Sequence, residues 1–153
     1  MKYYVVGFVF NRRMSKVLLI NKLKPEWQAG RLNGVGGKVE PGEAYSTAMA
    51  REFEEETGMI VPEHRWRNFC TLRACDGVVQ MFTVDADFNS KIIIPQMTPE
   101  PVSWESYAPL SDRVIDNLRW LIPMALGTPV RAEVNERSTL CQCQTHPNCH
   151  PKP

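Results

Sequence analysis

The chain has 153 residues, of which 43% are hydrophobic and 23% charged, with a formal net charge of +1. That length encloses a single core, so one domain and one site are expected. So even a charge balance excludes a global pull toward nucleic acid or acidic lipid. No run approaches the roughly 18 apolar residues of a membrane span. The five cysteines fall as Cys70 and Cys75 mid-chain and Cys141, Cys143 and Cys149 near the end, which is no secreted disulfide framework. The expectation is a cytoplasmic protein with no membrane partner and no stable nucleic-acid partner.

The opening "MKYYVVGFVFNRR" is β-branched and aromatic and lacks a small-residue cleavage site, so it reads as a strand rather than a leader. Residues 2–10 and 16–20 are expected to form two strands around the turn "NRRMS". A loop from Asn21 to Arg31 carries Lys22, Lys24, Pro25 and Trp27. The glycine-rich "NGVGGKVEPGE" (33–43) would be costly in an ordinary strand but lets backbone come close to a ligand. Residues 44–57 are the strongest helix candidate, entered by the turn "PG" at 41–42 and ended by Gly58.

Residues 67–74 and 78–88 then read as a strand pair around "CDG". After a proline-rich stretch from Pro95 to Pro109, residues 112–126 have helical apolar spacing at Val114, Ile115, Leu118, Leu121 and Ile122. The order strands, helix, strands, helix implies an α+β layered domain over residues 1–130. Apolar content falls from Gly127 onward, and residues 131–153 are expected to be a mobile tail. Cys141, Cys143, His146, Cys149 and His150 suit zinc by type, but their spacing is no standard ligand pattern, so disorder is the expected state.

The helix at 44–57 concentrates negative charge. Glu52, Glu55 and Glu56 sit at i, i+3 and i+4 and so share one stripe of the helix. Met49, Ala50 and Phe53 occupy the neighbouring face and are expected to pack on the sheet. Arg51 falls on the other side, near Glu54, so the stripe needs a neutralising partner from outside the chain. A hard divalent cation, Mg²⁺ or Mn²⁺, suits clustered carboxylates, and the alternative is a solvated acidic face.

The same residues resemble the Nudix box. The run Gly37, Glu43, Arg51, Glu52, Phe53, Glu55, Glu56, Gly58, Met59 follows that family's pattern without a gap, Phe53 standing where the family mostly has an aliphatic residue. The resemblance implies the Nudix fold, an α/β/α sandwich around a mixed sheet. It also implies hydrolysis of a nucleoside diphosphate linked to another group, with divalent metal as cofactor. Carried over, Glu52, Glu55 and Glu56 bind Mg²⁺ with the main-chain carbonyl of Gly36, and Arg51 pairs with Glu43 to orient the helix. Glu55 or Glu56 is the general base, and Glu100 an extra participant. Lys38, or Lys22, Lys24 and Arg31, could meet the phosphates.

Outside the box, "GRLNGVGGKVEPGE" (30–43) resembles the MutT-type branch, which cleaves (deoxy)nucleoside triphosphates, 8-oxo-dGTP among them, to monophosphate and pyrophosphate. By that resemblance Asn33 and Asn117 read the base edge and Trp27 covers the base, although Leu32 stands where the branch has tryptophan. Without it, Asn33 is a turn residue, Asn117 a polar helix position and Trp27 loop packing. ADP-ribose hydrolysis is the alternative activity, and a nucleotide-binding module without catalysis the alternative class.

Overall fold

In the computed structural model, which describes residues 1–86, 94–127 and 131–135, the apolar N-terminal segment forms β1 (Lys2–Asn11) and turns back into β2 (Lys16–Asn21). Asn11 accepts from the Met14 amide, and Ser15 takes the left-handed conformation (φ 53°) that closes the hairpin. The other strands are β3 (Leu32–Asn33), β4 (Arg67–Arg73), β5 (Gly77–Asp85), β6 (Val102–Ser106) and β7 (Ala132–Asn135). They form one mixed sheet in the order β3-β2-β1-β5-β4-β7, with β6 also paired to β2. β1 runs parallel to β5, from Lys2 opposite Gly77 to Phe10 opposite Asp85. β4 is antiparallel to β5 and parallel to β7.

Alternation along β1 divides the core. Val5 and Val9 join Ala48, Met49 and Phe53 of α1 (Tyr45–Thr57) on one face. Phe8 and Phe10 join Leu118, Leu121 and Ile122 of α2 (Leu118–Leu126) on the other. Two helices therefore cover opposite faces of one mixed sheet, which is the expected α/β/α sandwich of the α+β class. Full burial of Phe53 contributes about 2–3 kcal/mol by area transfer. Gly58 ends α1 at φ 69°, its N–H meeting the Glu54 carbonyl at 2.8 Å.

Three segments depart from the sequence reading. α2 starts at Leu118 rather than near 112, because Leu32 bonds through its backbone to Arg113 and Ile115 and draws that segment alongside β3. The proline-rich stretch contains β6, which pairs with β2 from Val102 to Ser106. β7 occupies the start of the expected tail, and Ala132 and Val134 pack against the α2-side core. The tail cysteines and histidines, and the end of the strand expected at 78–88, lie outside the described residues. No helix among the described residues is long and apolar enough to cross a membrane.

Candidate active site

The glycine-rich segment continues β3 and lies along β1 below the last turns of α1. Val35 exchanges backbone hydrogen bonds with Gly7, Gly37 accepts from Val5, and Val39 donates to Tyr3. Gly36 adopts φ 156°, and a Cβ there would collide with the Val5 carbonyl, so only glycine lets the segment lie this close to β1. A Cβ on Gly37 would likewise meet the Glu52 carboxylate. The glycines thus open the space that the helix carboxylates fill.

Two clamps fix α1 to this segment. Glu56 accepts a hydrogen bond from the Gly36 N–H at 3.0 Å. Arg51 donates to both oxygens of Glu43 at 2.8 and 2.9 Å and to the Lys38 carbonyl at 3.0 Å. The pair implied between Arg51 and Glu43 is therefore present as a two-point contact. Arg51 does not stay on the other side of the helix with Glu54, however. Its long side chain arcs round so that Nη1 reaches Glu52 at 2.9 Å and Glu55 at 3.4 Å. The guanidinium offers five donors in a plane, so one cation serves several acceptors.

The electrostatics follow from burial. Arg51 holds the Glu43 carboxyl down at about 2, with the Glu40 amide assisting. Burial pushes the Glu52 carboxyl above its ordinary value, and Arg51 offsets this only in part. Burial pushes the Glu56 carboxyl up to about 7; the Gly36 N–H and Lys22 oppose the shift, and Glu52 and Glu100 add like charge to it. Two repelling, poorly solvated carboxylates beside a main-chain segment form a hard oxygen donor set, which fits a divalent cation. Among the described residues no three acidic, histidine or cysteine groups already converge as a ligand set. Glu52 and Glu55 are turned to Arg51 and Glu56 to Gly36, so binding requires side-chain rotation, which is open to Glu55 at 58% side-chain exposure.

Glu100 comes to the site through the loop before β6. It meets Lys22 Nζ at 2.5 Å and accepts from the amides of Leu23 and Lys24 at 2.6 and 3.1 Å. Burial alone would raise its pKa, but the Lys22 ammonium and the two amides outweigh this and hold it low. Lys22 also acts on Glu56, which places this ion pair beside the box. Its partners are 78 positions apart in the chain. No spacing rule could have joined them.

The expected base-reading residues are less closely gathered. Asn33 donates to Gln28 at 3.0 Å and accepts from the Gly34 amide at 2.7 Å, so its amide is already engaged. Asn117 stands just before α2 without capping it, and its Oδ1 is buried with no hydrogen-bond partner among the described residues. Trp27 lies in a short 3-10 turn, 65% exposed, and Lys24, Lys38 and Arg31 extend toward solvent or its edge. Arg31 reaches Asp116 at 3.5 Å. The backbone bonds of Leu32 to Arg113 and Ile115 bring the Asn33 and Asn117 segments side by side.

The Nudix domain model matches residues 1–140. The chain belongs to the Nudix family, and it is as a member of that family that it is a pyrophosphohydrolase. Among solved structures it is similar to a MutT/nudix family protein from Enterococcus faecalis, with 18% identity and TM-score 0.58 over 67% of this chain and 42% of that one. It is also similar to a MutT NUDIX hydrolase from Burkholderia pseudomallei, with 20% identity and TM-score 0.66 over 82% of this chain and 98% of that one. A third is a bifunctional NMN adenylyltransferase/ADP ribose pyrophosphatase from Francisella tularensis, complexed with AMP and a manganese ion, with 16% identity and TM-score 0.66 over 80% and 40%. At these identities the likeness establishes the fold and leaves the substrate open. No curated protein matches the sequence. Nudix hydrolases act on nucleotide small molecules and generally use divalent metal ions.

Proposed function

We propose that the protein hydrolyses a (deoxy)nucleoside triphosphate, such as an oxidised or otherwise modified purine dNTP, to the monophosphate and pyrophosphate with Mg²⁺ as cofactor. The observation that carries this reading is the pair of half-buried carboxylates pressed against the glycine segment, Glu52 held by Arg51 and Glu56 by the Gly36 amide. Glu52, Glu55, Glu56 and the Gly36 carbonyl would hold the cation. When bound, it would neutralise charge developing on the phosphoanhydride and acidify water. Arg51 holds α1 at a fixed height over the glycine segment through Glu43 and the Lys38 carbonyl. Glu55 or Glu56 takes the proton from the attacking water.

Glu100, expected as an extra catalytic participant, takes a positioning role in this reading. It fixes Lys22 and the following loop beside Glu56, where the ammonium can meet a phosphate oxygen once substrate competes for it. Lys38, Lys24 and Arg31 are further cations that would meet the phosphates in this reading. The triphosphate preference rests on the resemblance of residues 30–43 to the MutT-type branch and on the placement of Asn33 and Asn117 on neighbouring segments, with Trp27 on the adjoining loop as the stacking ring.

The test is turnover, with Mg²⁺, of a panel of canonical, oxidised and methylated dNTPs, ADP-ribose and dinucleoside polyphosphates, with products identified. The expected result is pyrophosphate and a monophosphate from a purine triphosphate, with kcat lowered about 10²–10⁴-fold by Glu55→Gln or Glu56→Gln. Preferred cleavage of ADP-ribose would replace the substrate assignment. Absence of any metal-dependent turnover would make the protein a binding module.

A further inference from the structure

On β5, Val79 and Met81 pack toward α2, while Phe82 and Val84 pack toward α1. Gln80 therefore points to the α1 side, and in register beside it on β4 and β7 stand Thr71 and Glu133. α1 lies over β1, so this end of the sheet is left to a groove. It has a volume of about 360 Å³ and is lined by Thr71, Arg73, Gln80, Arg131, Ala132 and Glu133. That is within the range of small-ligand sites, and β5 separates it from β1 and the box glutamates.

Hydrogen bonding fixes the character of its floor. Asn68 Nδ2 donates to the Met81 carbonyl at 3.2 Å, so its amide cannot turn over without losing that bond. The same Nδ2 donates to Gln80 Oε1 at 2.8 Å, and the Thr71 hydroxyl donates to that oxygen at 2.9 Å. With Oε1 twice occupied, the Gln80 Nε2 is turned away from both. No acceptor among the described residues meets it, although Gln80 is only 9% exposed and lines the groove. The Nε2 donor is therefore free toward the groove, where a ligand oxygen can take the place of water as its acceptor.

The rim adds charge of one sign beyond what is balanced. Arg73 meets Glu133 at 2.7 Å. Arg131 has no acidic partner among the described residues, and among the residues that line the groove its guanidinium is the cation left over from the Arg73–Glu133 pair. We propose that this groove between β5, β4 and β7 is a second binding site, separate from the box, for a phosphate-type anion. Its oxygens would accept from Gln80 Nε2 at the floor and from the Arg131 fork at the rim. Donors at the floor and the rim match a tetrahedral anion better than a planar carboxylate, which a guanidinium fork alone would satisfy.

The test is a titration of the full chain with inorganic phosphate in EDTA, followed by NMR at the Gln80 side-chain amide and the Arg131 Nε–H. Saturable shifts at both groups are expected. Arg131→Ala, at an exposed position that leaves the core intact, should raise the apparent Kd by roughly tenfold. Glu133→Gln, which removes the competing anion, should lower it. Shifts that Arg131→Ala leaves unchanged, no shift at tens of millimolar phosphate, or equally tight binding of acetate would each overturn the assignment. Because the titration excludes divalent metal and reads no turnover, its outcome is independent of the nucleotide-hydrolysis reading.

Discussion

Without a cation, the Glu56 carboxyl keeps its proton up to about pH 7, where an ordinary glutamate loses it near 4.5. In that window the folded chain holds a proton that the unfolded chain has released. The group's contribution to stability is therefore complete below about 4.5 and is lost as pH rises through about 7. At one pKa unit per ~1.4 kcal/mol, and discounted for partial solvent screening, the loss is on the order of 1–3 kcal/mol. Glu56→Gln keeps an acceptor for the Gly36 N–H but carries no charge. In EDTA it should be more stable than the parent at pH 8 and nearly equal to it at pH 5, as read by urea unfolding; the same difference at both pH values would refute this account. Added Mg²⁺ should raise the Tm of the parent more than that of the variant. That these glutamates gather on one helix was legible in the box spacing. The reach of Arg51 was not, because helical position fixes where a Cβ points and not where a five-donor fork at the end of a long chain comes to rest.

α1 sits low on the sheet because β1 offers a glycine where the helix crosses it. A Cβ on Gly7 would meet Met49 Cε and Sδ and the Trp66 ring, at 2.7 to 2.8 Å. Gly7→Ala should lift the helix and cost about 1–3 kcal/mol. Met49→Ala alone should cost about 2–5 kcal/mol by leaving a cavity. Combined, the two should cost less than their sum, since the new methyl enters the space Met49 vacates; strict additivity in a double-mutant cycle would count against this packing. The helix itself was readable from its turn, its terminal glycine and its apolar face. The second helix was over-extended for an equally physical reason. Val114 and Ile115 carry helical spacing, but backbone pairing with Leu32 competes for the same residues and wins. β6 was hidden among prolines, since Pro101 and Pro109 flank a five-residue strand too short to announce a period.

The chain as a whole closes its sheet with residues that composition alone assigns to a tail. β7 pairs with β4 at four positions, Cys70 to Arg73 against Ala132 to Asn135, and adds Ala132 and Val134 to the α2-side core. A chain ending at residue 130 should therefore be less stable than one ending at 135 by about 1–3 kcal/mol, from lost apolar burial and an uncovered strand edge. Equal denaturation midpoints would place the domain boundary before β7. The fold class was readable because strand and helix periods alternate along the chain, whereas strand order was not, since local pattern says nothing about which strands meet. That order carries a kinetic consequence. The nine-pair register of β1 with β5 joins the first residues of the chain to partners some 75 positions later. On a ribosome, the N-terminal strand must wait for Asp85 to emerge before its sheet edge is covered, and a sequence separation of this size favours slow, late-committing assembly.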